Sequence, residues 1–413
     1  MFGGLVRNCL LFMLMLLMAE TQAGISGKIE TLFERDNLYF ESESRSEQWL
    51  DVRYENPSTQ LSMGLSMSFL QTQDDNDEEL ALLNIKKHLD DKGSFVDLGR
   101  LQRADSFGFY ILDGIHLKYH GNYGSLSFYG GVPGRIESFR SIEGGALYGF
   151  DMQSESLPWN EYAIDGRIGW QYLDDDISEK RLNIGGRLVR QEGQAQAVSF
   201  ATTYRLTGSS WESIQIDAYQ NFSDVVRWRV DYETYEPNSD KLTFKDRFYS
   251  LYAKGRQSQL KTGIAYYQDR QRTWVLQGRR VSRDFGESGL GVSAGLDYRS
   301  LRGWVLNTQL DQLTLSQERL HSFYIEGHQS LTSILRATLS GVVQRQQKKL
   351  VGDNRSIGVD AKLERRVRFS AFPSPLWCSL EASYIDHSRL SSEYRIALRL
   401  SYHFDDRTRE ALQ

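Results

Sequence analysis

From Gly24 onward, apolar and polar positions alternate along the chain with period two, the signature of strands that offer one apolar and one polar face. The clearest run lies between Gln60 and Gln71. Leu61, Met63, Leu65, Met67 and Phe69 share one face, and Ser62, Gly64, Ser66 and Ser68 share the other. A helix needs apolar residues at i, i+3, i+4 and i+7, and this run fails that test. Leu50, Val52 and Tyr54 alternate with Asp51, Arg53 and Glu55 in the same way. Ile115, Leu117 and Tyr119 alternate with His116, Lys118 and His120. Further runs follow at Tyr162–Tyr172, Val226–Glu233, Leu290–Tyr298 and Ile396–Phe404. About 23 such runs can be traced, least clearly between Trp211 and Tyr267. About 22 strands are expected, with 20 or 24 as the neighbouring counts.

Punctuation agrees with strands joined as a meander. Short turns such as Gly121-Asn122-Tyr123-Gly124 and Asp90-Asp91-Lys92-Gly93 separate neighbouring runs. All six prolines, at 57, 133, 158, 237, 373 and 375, are expected between strands, because a ladder needs every N–H. No blade-length repeat and no alternation of strands with helices marks a propeller or a second domain.

The polar face is rich in Arg, Asp, Glu, Lys and Gln, which a soluble sandwich core does not tolerate. Aromatic residues gather at the ends of the apolar faces: Trp49, Tyr54, Trp170, Tyr172, Trp228, Tyr232, Trp377, Tyr402 and Phe404. An apolar band with aromatic girdles around a charged interior describes a membrane β-barrel. Lipid leaves no backbone group unpaired, so the sheet must close. The expected fold is therefore all-β, a single closed antiparallel transmembrane barrel over 24–404 without a plug domain. Residues 405–413 form a short polar tail. The last run, Arg395 to Phe404, is similar to the C-terminal strand of Gram-negative outer-membrane β-barrels of the porin-like kind, which the chain resembles over its mature length. Asp405 to Gln413 extends past the final aromatic, where that class usually stops. The resemblance implies the outer membrane as location, with lipid and lipopolysaccharide as surroundings.

Composition removes other classes. The net charge of −5 gives no basic footprint for nucleic acid. The 22 Tyr, 20 Phe and 8 Trp argue against disorder. Two cysteines, Cys9 and Cys378, are too few for a disulfide scaffold or a zinc cluster, and no C-x-x-C-H offers haem attachment. No cofactor and no metal site is expected. Met1 to Ala23 reads as a cleaved secretory signal peptide: Arg7 charges its n-region, Cys9 to Met18 form an apolar core, and Thr21 and Ala23 are small residues before the cleavage point. Cys378 is then the sole cysteine, and a buried inert thiol is its expected role.

Barrels of about 22 strands usually have a plugged lumen. With strands starting directly after the signal peptide, the lumen is expected to be open, narrowed by loops, or filled by a partner. Expected pore-lining residues are Asp51, Arg53, Asp165, Arg167, Arg227, Arg229 and Asp231, acting as a charge ladder or as salt bridges that stiffen the wall. The loop from Pro133 to Leu147 carries Arg135, Glu137, Arg140 and Glu143, which would set a field across the opening if folded inward. The acidic run Asp74 to Glu79 is expected as a solvated surface loop between strands. His116 and His120 share a face but stand too far apart in a strand, roughly 13 Å, to hold one metal.

Three functions fit these features. A passive porin-like channel for small polar or ionic solutes comes first. A sheath around a partner lipoprotein or multihaem electron carrier is the second. A rim hydrolase built on Asp386-His387-Ser388 is the third and the weakest, since neighbouring strand residues point to opposite faces. The protein is not expected to be an enzyme.

Overall fold

The computed structural model describes residues 24–37, 43–72, 76–134, 145–174, 178–190, 195–236, 254–285, 288–300, 303–348, 352–368, 374–388 and 392–405. Among them all regular structure is β, in one antiparallel sheet of 23 segments. The first nine are β1 (Gly24–Asp36), β2 (Glu43–Asn56), β3 (Leu61–Gln71), β4 (Asn76–His88), β5 (Phe95–Asp105), β6 (Gly108–Gly121), β7 (Gly124–Gly134), β8 (Ala146–Ser154) and β9 (Leu157–Trp159). Next come β10 (Tyr162–Asp174), β11 (Glu179–Arg190), β12 (Gln196–Arg205), β13 (Ser210–Ser223), β14 (Val226–Tyr235), β15 (Lys254–Tyr267) and β16 (Arg272–Phe285). The wall is completed by β17 (Gly289–Arg299), β18 (Trp304–Leu315), β19 (Glu318–Ser330), β20 (Leu335–Lys348), β21 (Gly352–Val367), β22 (Leu376–His387) and β23 (Glu393–Asp405).

Successive strands pair with each other, and β1 pairs with β23 from Ser26↔Asp405 to Asp36↔Arg395, so the sheet closes on itself. Both β8 and β9 pair with β10 and form one interrupted stave, giving 22 staves in all. The runs near Trp211–Tyr267, faint in sequence, are the paired strands β13, β14 and β15. The start of β1 and the end of β23 share one rim. The strands flanking the two longest connections, 135–145 and 236–253, end at the opposite rim. Membrane barrels as a rule carry short turns at the inner rim and longer loops at the outer rim, and by that rule the terminal rim is the inner one.

The inside face is identified by contacts that only the interior permits. Arg103 on β5 reaches Asp151 on β8, and Asn183 on β11 reaches the Ser106 carbonyl between β5 and β6. Propagated through the ladder, this parity puts the polar positions inside and the apolar positions outside. The outer face is exposed and apolar, with Leu339, Leu276, Leu380 and Ile396 among its members. Phe150, Trp170 and Tyr172 stack along its rim. This assignment predicts a sharp contrast between adjacent positions of β20. Leu339→Arg, on the outer band, should cost about 2–4 kcal/mol of folding stability. Ser340→Arg, inside and beside Asp360, should cost less than ~1 kcal/mol. Urea titration in lipid vesicles checks both.

Three expectations are corrected. Trp49 lies opposite Glu30 and Ser68, and Trp377 opposite Arg366 and Ser401, so both face the interior rather than the outer girdle. Two prolines stand within strands, each where the strand is paired along one edge only. Pro133 lies beyond the last β7–β8 rung, Gly131↔Leu147, and Pro158 lies in β9, which pairs only with β10. The acidic run does not lie wholly between strands: Asp77, Glu78 and Glu79 belong to β4 and pair with β3.

One part of the wall leaves the barrel surface. β4 pairs with β3 up to Gln71↔Asn76, yet with β5 only up to Leu83↔Arg100. Beyond that rung the β5–β6 hairpin bends into the lumen. Gly99, Gly114 and Gly131 lie directly across from one another at the bend. A Cβ at Gly99, Gly114 or Gly131 would stand 2.2, 2.1 and 2.2 Å from a neighbouring carbonyl oxygen, and Gly99 also has φ of +119°. Only glycine lets the backbones approach so closely. The folded-in hairpin buries Tyr110 and Leu112 against Tyr129, Leu147 and Leu173, all on the interior face.

Candidate functional site

The hairpin tip is held by charge as well as by apolar packing. Arg103 is buried, with its guanidinium 3.8 Å above the Tyr129 ring. Its Nη2 donates to Asp105 and to Asp151, each at 3.1 Å, and its Nε donates to the Tyr110 hydroxyl at 3.1 Å. The Tyr110 hydroxyl in turn donates to Asp105. Ser106 Oγ donates to Asp151 at 3.2 Å, and Asn183 Nδ2 donates to the Ser106 carbonyl at 3.3 Å. A buried arginine between two carboxylates is stable only with this degree of hydrogen bonding.

Behind the tip, the interior of β10–β13 is closed by a second network. Arg181 binds Glu212 with both arms, at 2.8 and 2.7 Å, and its Nη1 donates to Gln171 at 3.3 Å. Gln171 donates to the Tyr129 hydroxyl at 3.3 Å, which joins the two networks. Arg205 pairs with Glu179 at 3.1 Å and with Glu212 at 3.4 Å. This part of the interior is sealed to water.

Elsewhere many interior side chains are exposed. Asp165 lies opposite Arg187 and pairs with it at 3.0 Å, yet the Arg187 side chain is 57% exposed. Arg229 pairs with Asp217 at 2.6 Å and approaches Asp231 at 3.9 Å, and it is 64% exposed. Arg227 donates to Asn221 at 2.8 Å and lies over the rings of Tyr219 and Tyr267. Arg167 is exposed, beside Gly185. Asp51 stands opposite Lys28 and Ser66, and Arg53 opposite Ser26 and Gly64. The residues named from sequence thus fall into separate groups on β2, β10 and β14, rather than one continuous ladder. Arg135, Glu137, Arg140 and Glu143 lie outside the described residues, as does the segment 1–23.

Sequence reading missed a further interior network, on β21–β23 and β1–β2. Lys362 pairs with Glu364 at 3.0 Å and Glu381 at 3.3 Å, and Arg399 with Glu30 at 2.8 Å. Glu34 is shared by Arg395 at 2.6 Å and Arg45 at 2.8 Å. Near the terminal rim, the Trp377 ring lies 5.5 and 5.9 Å from the guanidinium groups of Arg336 and Arg366. The inward hairpin was missed as well, although it had left a signal. Tyr110, Leu112, Tyr129, Leu147 and Leu173 are apolar residues at positions whose parity is otherwise polar.

The hydrolase trio does not converge. Asp386 accepts from Ser392, His387 meets Ser356 at 2.9 Å, and Ser388 donates to Asn354 at 2.8 Å. These contacts order the end of the β21–β22 pair. His116 packs edge-on against Phe95 and His120 meets Glu155 at 3.1 Å, and no cluster of three metal-ligating side chains occurs among the described residues. Cys378 lies on the outer face, opposite Arg365 and Leu400.

No protein-family model and no curated protein matches the sequence. Solved structures do resemble its fold. The siderophore receptor PirA from Pseudomonas aeruginosa superposes with a TM-score of 0.55 at 12% identity, over 92% of this chain and 80% of that one. That likeness is to a closed antiparallel β-barrel and concerns the fold alone. Two further Pseudomonas aeruginosa proteins align over nearly their whole length at lower similarity. OpdQ has a TM-score of 0.47 and 12% identity, covering 94% of this barrel and 100% of its own chain. OccK8 (OprE) has a TM-score of 0.47 and 9% identity, covering 93% and 98%. At such identities the likeness concerns the fold, and what the barrel does must come from its own interior.

Proposed function

We propose that the protein is a passive outer-membrane channel for small polar or ionic solutes, narrowed by its own β5–β6 hairpin. The observation that carries this reading is the solvent exposure of inward-facing arginines. Arg187 and Arg229 point into the barrel and are more than half exposed. A lumen packed shut would bury them, as it buries Arg181. The interior is mixed in sign: Asp165, Asp217 and Asp231 stand beside Arg187, Arg227 and Arg229, and Asp51 and Arg53 continue the pattern on β2. Such a wall favours hydrated solutes with weak charge selectivity.

Vesicle swelling tests the reading. Proteoliposomes should swell in isotonic solutions of small sugars and amino acids, and progressively less as solute size increases. Absence of swelling for every solute would refute it and turn attention to a partner-filled sheath. Charge reversal gives a second test. Arg187→Glu with Arg229→Glu should shift the cation-to-anion permeability ratio toward cations by several-fold, read as a change in reversal potential under a salt gradient. We further infer that Met1–Ala23 is an export signal removed on secretion, since β1 begins at Gly24. The intact mass of protein purified from outer membranes should correspond to a chain starting at Gly24.

A further inference from the structure

The wall strands on either side of the bend end in edges that are not paired with each other. In the backbone ladder, β4 runs on through 76–82 beside β3 and β5 through 101–105 beside β6, without a β4–β5 rung. The two edges are similar in length and stay close. Arg100 Nη1 donates to the Leu80 carbonyl at 2.9 Å and Gln102 Nε2 to the Ala81 carbonyl at 3.4 Å, so single side chains span the seam. An open strand edge in a membrane wall is costly unless something pairs or covers it. The nearest segment of matching length is the hairpin itself. Extending the register beyond Leu83↔Arg100 would set Leu82 against Leu101 and continue toward the outer rim.

The hinge for such a motion is already in place. The glycine row Gly99, Gly114 and Gly131 crosses three strands at the separation point. The tip beyond it touches the opposing wall through few polar contacts, chiefly Ser106 with Asp151 and Asn183 and Arg103 with Asp151. Between the hairpin and the wall lies a cavity of about 540 Å³, lined by Lys86, Asp97, His116, Lys118 and Arg167 as well as by the free edge of β5. The space beneath the hairpin is large enough to hold water.

We propose that the β5–β6 hairpin is a gate with two positions. In the inward position it narrows the lumen. In the outward position it turns about the glycine row, its free edge joins that of β4, and the lumen widens as the wall becomes continuous. Each position satisfies one set of groups at the other's expense, ladder bonds in one and the buried ion triad with its apolar cluster in the other. A bistable element of this kind is what gating needs. The proposal rests on the channel reading and adds its regulation.

Locking the tip tests it. A Cβ at Gly169 would stand 2.8 Å from Ser106 Oγ, close enough for a disulfide from Ser106→Cys with Gly169→Cys, in a Cys378→Ser background. Oxidised, this variant should show one low conductance level without transitions. Reduced, it should switch to a level about twofold higher or more. Identical oxidised and reduced traces would overturn the gate and leave a fixed constriction. A second variant does not depend on that disulfide. Leu147 is fully buried beneath the hairpin. Leu147→Cys, in the same Cys378→Ser background, should react with a charged, membrane-impermeant methanethiosulfonate at a measurable rate if the hairpin opens. A thiol that stays unmodified over hours in folded protein would contradict the gate. Labelling without any conductance would spare the hairpin motion and reject the channel.

Discussion

Replacing Arg103 with methionine is expected to destabilise the barrel by about 3–5 kcal/mol and to raise its conductance. The arginine is the shared partner of Asp105 and Asp151, and both it and Asp105 are nearly inaccessible to water. Methionine fills much of the same volume over the Tyr129 ring but leaves two carboxylates facing each other without a cation. The hairpin tip then loses its hold on β8, and the carboxylates gain hydration by moving away from the wall. Unfolding by urea in micelles reads the stability loss, and bilayer recording reads the larger pore. Adding Asp105→Asn and Asp151→Asn to Arg103→Met should recover most of the stability, because the uncompensated charge is removed. If the single variant were as stable and as narrow as the parent, the ion triad would not be what holds the hairpin inward.

Deleting β23 should abolish folding outright. Its removal opens the edge of β1 along Ser26–Asp36 and the edge of β22 along Leu376–Ile385 at once. Each unpaired backbone group in hydrocarbon costs several kcal/mol, and an open sheet has no other way to satisfy them. It also strips Glu30 and Glu34 of Arg399 and Arg395 in the interior. The expected outcome is no heat-modifiable band on cold electrophoresis and complete sensitivity to protease. Removing only 406–413 should leave the band in place, because β23 ends at Asp405.

The closed barrel was legible in the sequence because one physical constraint writes itself at every second residue. A strand with lipid on one side and water or charge on the other must alternate, and Leu61–Phe69 or Ile115–Tyr119 carry that constraint without ambiguity. The same parity assigns Asp165, Arg167, Arg227 and Arg229 to the interior. Trp49 shares parity with Asp51 and Arg53 and so belongs inside; it precedes the clear run Leu50–Glu55, and only the ladder shows that β2 reaches back to Glu43 and sets Trp49 at its middle. Trp377 needed more, since its arginine neighbours come from β20 and β21, and only the ladder register brings them together.

Register also explains why the hairpin stayed hidden. Gly99, Gly114 and Gly131 are unremarkable singly, and the bend exists because three strands align them. The ion pairs share this property. Arg103 and Asp151 are 48 positions apart and Arg399 and Glu30 are 369 apart, so no local pattern connects them. What the chain did display was apolar side chains of interior parity on neighbouring strands, Tyr110, Leu112, Tyr129, Leu147 and Leu173. In a barrel whose interior is otherwise polar, such a group marks a place where the protein packs against itself inside the lumen.

Single-channel recording of the purified, refolded protein in a planar bilayer, with salt on both sides, tests the central claim most directly. A water-filled lumen of mixed charge, narrowed by its own hairpin, predicts stepwise conductance from the protein alone, with a cation-to-anion permeability ratio near unity. A correctly folded barrel that inserts and stays electrically silent would contradict it.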